Sequence, residues 1–62
     1  MNKHELLLIL RQNTDNKGFA QYTYSKELSV KSTELKMLAE LESEGYIHKV
    51  TSTLGYAIYK IL

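Results

Sequence analysis

The sequence predicts one small α+β domain of three helices followed by a C-terminal β-hairpin, with a short strand between the first two helices. Three observations lead there. The first half is rich in helix formers broken by a single dense cluster of turn residues. A second run, Lys31 to Gly45, repeats leucine every three residues at 35, 38 and 41. The last third holds two β-forming segments separated by four turn residues. At 62 residues the chain has room for one domain, 1–62, and reads as a whole small protein. A chain of this size buries only about 60 % of its unfolded surface, so its stability is thin.

Asn2 to Asn13 (NKHELLLILRQN) is the first helix, with Glu5 near its start and Arg11 near its end, the polarity that suits the helix dipole. Asn13 to Gly18 stop it. FAQYT, Phe19 to Thr23, alternates weakly and reads as a short strand. Tyr24 to Ser29 (YSKELS) reads as a short second helix, with a tight turn at Ser29 and Val30. Lys31 to Gly45 is then the third helix: Leu35, Leu38 and Leu41 form its core stripe, and Gly45 stands where a left-handed helix-ending residue is wanted. Tyr46 to Thr51 and Tyr56 to Leu62 pair through a turn at Ser52 to Gly55.

Composition excludes more than it selects. Eight Lys/Arg against seven Asp/Glu leave a net charge of +1, with 44 % apolar and 24 % charged residues. Such a chain folds instead of staying disordered. No cysteine is present, so disulfides, thiolate zinc sites and cysteine nucleophiles are out, and a reducing, cytoplasmic setting is expected. The longest apolar run, Leu6 to Leu10, is too short to cross a bilayer or to serve as a secretory signal. His4 and His48 lack metal-ligand spacing. No phosphate loop, paired carboxylates or nucleophile–histidine–acid arrangement can be made out. Neither enzymatic activity nor a cofactor is expected.

The order of elements becomes specific at LAELESEGYI, Leu38 to Ile47. Leucine, two variable residues, leucine, three mostly charged residues, glycine and an apolar pair resembles the end of the third helix and the wing entry of winged helix-turn-helix proteins. The leucines pack the helix, the glycine reverses the chain, and Tyr46-Ile47 pins the first wing strand. The resemblance covers roughly residues 22–62, with the first helix added. In this chain the second helix is compressed and lacks the usual alanine and glycine, and the net charge is lower than is common in that family.

The resemblance implies a regulator of transcription that binds double-stranded DNA through its third helix and wing. Lys31, Ser32, Thr33 and Lys36 occupy the first turns of that helix, the end that enters the major groove. Lysine there suits guanine or phosphate, and the short hydroxyl residues suit phosphate or a thymine methyl. Glu34 faces the second helix, caps the helix, or accepts from a cytosine amine. The wing adds Lys49, Thr51, Ser52 and Thr53, and Lys26 is placed for a phosphate near the second helix. Each of these residues also fits an ordinary surface role, the lysines as solubilising groups and Ser32 and Thr33 as helix starters.

Leu6 to Leu10 cover the first helix on all sides, and the final segment is apolar on both faces. That excess predicts a homodimer through the first helix, the C-terminal strand, or both, presenting two helices to a palindromic site. The same surplus, with the low charge, supports the alternative of a protein-interaction module binding a replication, transcription or host factor.

Overall fold

The computed structural model describes all residues 1–62. Two helices, α1 (Lys3–Gln12) and α2 (Leu28–Ser43), pack on one face of an antiparallel sheet of β1 (Phe19–Thr23), β2 (Ile47–Ser52) and β3 (Tyr56–Ile61), in the order β1-β3-β2. No helix is long and apolar enough to cross a membrane.

The α1 helix starts where Asn2 caps it: its side chain accepts from the Glu5 amide at 2.9 Å, and its amide nitrogen donates to the Glu5 carboxylate. At the other end Asn13 Nδ2 and Thr14 Oγ1 donate to the Ile9 and Leu10 carbonyls, satisfying acceptors the helix leaves open. Asp15 then turns the chain, one carboxylate oxygen accepting from the Lys17 and Phe19 amides. These fixed amides hold its carboxyl below the ordinary value of 3.8. Gly18 follows at φ +88°, in the left-handed region.

Between β1 and α2 the sequence expectation fails. Three helices and a terminal hairpin were expected; two helices and a three-stranded sheet are present. Tyr24 to Ser29 does not form a helix of its own, and the helix expected to begin at Lys31 starts at Leu28 and runs unbroken to Ser43. Two local causes account for this. The Tyr24 amide donates to the Gly55 carbonyl at 2.9 Å, extending the β ladder past Thr23. Ser25 Oγ then accepts from the Glu27 amide, a serine turn that competes with helix. At Ser29 and Val30 no glycine or proline interrupts α2, and the Lys31 amide donates to the Glu27 carbonyl as in any helix. There is therefore no helix-turn-helix pair. Nor is the final hairpin a free wing: β3 lies in the middle of the sheet, bonded to both β1 and β2.

The core gathers Leu6, Leu7 and Leu10 of α1 and Leu38 and Leu41 of α2 over Ala20, Tyr22, Ile47, Ala57 and Tyr59 of the sheet, with Tyr24 at one end. Leu35, expected in the core stripe, is 42 % exposed. It lies about 100° around α2 from Glu34, on the flank of the buried Glu34–Leu38–Leu41 face. Gly45, at φ +86°, ends the reversal after α2 as the sequence indicated. The partners Lys49 and Thr51 flank a bulge in β2 that leaves Val50 without a place in the register.

A lysine-rimmed cleft between the second helix and the hairpin

The first turns of α2 stand beside the tip of the β2–β3 hairpin, where Lys31 reaches the Leu54 carbonyl, and a cleft of about 280 Å³ opens between them. Lys31, Leu35 and Ala39 form its helix wall; Lys49, Thr53 and Leu54 form its hairpin wall, with Tyr24 and Tyr59 lining it as well. A second depression, of about 320 Å³, borders the hairpin tip past Leu28 and Lys26. Burial, above all, drives the Tyr59 hydroxyl well above its ordinary value of 10, and neighbouring Tyr24 adds to the effect.

The hairpin tip is held, not loose. Thr53 Oγ1 accepts from the Gly55 and Tyr56 amides at 3.2 and 3.1 Å. Lys31 Nζ donates to the Leu54 carbonyl at 2.6 Å and lies 5.2 Å from the centre of the Tyr24 ring. The loop below it is fixed from the core: Glu34, only 5 % exposed, accepts from the Ser25 amide at 2.8 Å and from the Tyr22 hydroxyl. It does not cap α2: it satisfies the loop that precedes the helix, at Ser25, and the β1 residue Tyr22. Glu27 itself makes no side-chain capping bond to α2.

The expected contact residues fall into three groups. Lys31, Lys49, Ser52 and Thr53 meet in the cleft, and Lys26 borders its extension. Ser32 and Lys36, each two positions from Glu34, are exposed on the side of α2 opposite the buried Glu34–Leu38–Leu41 face. Thr33 and Thr51 belong elsewhere. Thr33 donates its hydroxyl to the Ser29 carbonyl and faces the opposite flank, beside Met1, Val30 and Met37. Thr51 pairs with Ile58, on the sheet face turned away from the helices. Thr53 lines the cleft with its hydroxyl committed to the turn. Sequence reasoning missed Leu28, Leu35 and Leu54, although a leucine in the four-residue turn Ser52 to Gly55 was itself a signal.

Charge is unevenly distributed. Lys26, Lys31, Lys36 and Lys49 have no carboxylate within ion-pair distance. The acids near them are mostly committed. Glu40 and Glu44 meet Lys3 at 3.7 and 2.7 Å, and that pairing raises the Lys3 ammonium above its usual value. Glu42 accepts from the Lys49 amide and lies 3.8 Å from His48 Nδ1. Glu27, which accepts from Ser29 Oγ, is the remaining acid at this end.

No group of histidine, cysteine and carboxylate side chains is arranged to hold a metal ion. No protein-family model, characterised protein or solved structure matches the chain.

Proposed function

We propose that the chain binds double-stranded DNA and regulates transcription, with α2 as the element laid in the major groove. The observation that carries this reading is the set of four lysines left without carboxylate partners in a molecule whose net charge is only +1: Lys26, Lys31 and Lys49 around the cleft and Lys36 on the outer side of α2. A single helix suffices, since the major groove admits one directly. The outward row Ser29, Ser32 and Lys36 is exposed over the first turns of α2 and would face base edges. Lys31, Lys49 and Lys26 would meet phosphates on the hairpin side of α2. Glu40 and Glu44, which would repel the backbone, sit at the far end of α2 and are offset by Lys3.

The test is fluorescence anisotropy with duplex DNA over a range of salt. Each phosphate contact contributes about −0.9 to the slope of log affinity against log salt, so three or four contacts give roughly −3 to −4. Lys36→Glu lowers affinity about tenfold or more while leaving the melting temperature in place, because the side chain is exposed and unpaired. Binding indifferent to both salt and Lys36→Glu would sink the reading.

A further inference from the structure

Leu54 is 90 % exposed and Leu28 is 79 % exposed, the two highest values among the large apolar side chains. They belong to different elements, the hairpin tip and the start of α2, yet border the same depression, and Leu54 shares the adjoining cleft with Leu35. Scattered single leucines on a surface are ordinary; a contiguous set on a braced scaffold marks an interaction site. The bracing is local: the Lys31 bond to the Leu54 carbonyl and the Thr53 turn hold the backbone that presents Leu54.

We propose that this cleft docks an acidic amphipathic segment of a partner protein, its apolar side chains between Leu28 and Leu54 and its carboxylates on Lys26, Lys31 and Lys49. Charge selects the occupant. The rim carries three lysines without ion-pair partners, and Glu42, the acid lining the cleft, is engaged by the Lys49 amide. An acidic segment is complementary to that rim. A second copy of this chain joined by two-fold symmetry would set the lysines against their own images, which like-charge repulsion opposes. Leucine or phenylalanine at helical spacing, flanked by aspartate and glutamate, is the pattern such a groove reads. The proposal does not depend on DNA binding. It shares Lys31 and Lys49 with that reading, so the two ligands would exclude one another, but the leucines belong to the docking surface alone.

A displayed library of random peptides long enough for about four helical turns provides the probe, selected against the intact chain. The expected consensus combines large apolar residues with Asp and Glu. The selected peptide binds more weakly in added salt, loses at least tenfold in affinity in Leu54→Ser and Leu28→Ser, and is unaffected by Lys36→Glu. The two leucine variants keep the parental melting temperature, since both side chains are exposed and the Lys31 bond is to backbone. Binding retained in the leucine variants, or a consensus without acidic residues, overturns the proposal. So does loss of duplex binding in Leu54→Ser, which would assign the leucines to DNA, or a concentration-dependent dimer abolished by Leu54→Ser, which would assign them to a second copy. Peptide binding that fulfils these terms without any duplex binding rejects the DNA reading and leaves this one standing.

Discussion

Burying Glu34 removes a carboxylate from water, and two donors replace the lost hydration: the Ser25 amide and the Tyr22 hydroxyl. The partnership also restrains Tyr22. Burial first, then the bond to Glu34, pushes that phenol far above its ordinary value of 10. Hydrogen bonds to a charged group contribute about 1.5–3 kcal/mol, and orphaned donors add to the cost. Glu34→Ala should therefore destabilise the domain by about 2–3 kcal/mol, lowering the melting temperature by roughly 10–20 °C in a chain of this size. Glu34→Gln, which keeps an acceptor, should lose less. Thermal unfolding followed by circular dichroism measures both, and an unchanged melting temperature in Glu34→Ala would contradict the bracing role. The sequence left Glu34 three roles: facing the second helix, capping the third, or accepting from a cytosine amine. The role it takes lies with a strand twelve residues away and a loop nine residues away, pairings that local pattern cannot reveal.

For the elements, the instructive case is α2. Hydroxyl residues around Ser29 suggested a turn because serine favours caps and turns, yet no residue there forbids helix and the Glu27 carbonyl is available to Lys31. Glu27 gives α2 no side-chain cap. Replacing it with aspartate or serine, which reach the first free amides, should stabilise the domain by about 0.5–1 kcal/mol in urea unfolding. The reversal after α2 gives a second test. A methyl group on Gly45 would meet nothing within 4 Å, so Gly45→Ala isolates the cost of φ +86°, about 1–2 kcal/mol. At Gly18 the methyl would in addition approach Lys60 Nζ at 2.9 Å, displacing the cation that lies over the Phe19 ring and donates to the Lys17 carbonyl. That ammonium ends a flexible side chain, so the added cost is small.

Across the whole molecule, the proposed pairing of two chains narrows to particular surfaces. Leu6, Leu7 and Leu10 are consumed by the core, leaving Leu8, 55 % exposed, as the main apolar residue α1 offers a partner. β3 has neighbours on both edges and could contribute only its outer face. If α1 carries a dimer, Leu8→Glu should yield a monomer in sedimentation velocity and weaken binding to a palindromic duplex. Stability should fall at both ends of the pH scale. The Tyr22 and Tyr59 phenols hold their protons more tightly folded than unfolded. Their contribution is complete below about pH 10 and is lost as pH rises beyond it. Tyr59→Phe should flatten part of that alkaline loss. Asp15 works in the opposite sense: its lowered value gives stability that is present above about pH 4 and lost as pH falls further. Asp15→Asn should remove that acid dependence from urea unfolding curves collected at several pH values.

The sequence by itself determined what local chemistry controls. Turn residues 13–18 ended α1, the β-forming residues Phe19 to Thr23 made β1, Gly45 closed α2, and Thr53 to Gly55 turned the hairpin, Ser52 of the expected turn joining β2. It also placed the lysines that rim the cleft. Only the tertiary structure decided how these parts combined. Tyr24 stayed extended because Gly55, thirty-one positions away, accepted its amide. The helix expected at Tyr24 to Ser29 was lost to that bond and to the Ser25 turn, so α2 ran on from Leu28 as one piece. Leu54 then came to lie beside Leu35 in one depression and beside Leu28 in the next, an arrangement set by the unbroken α2 and by the Lys31 bond to the hairpin tip. Periodicity records which side of a helix is apolar; it carries no information on where the neighbouring sheet stops.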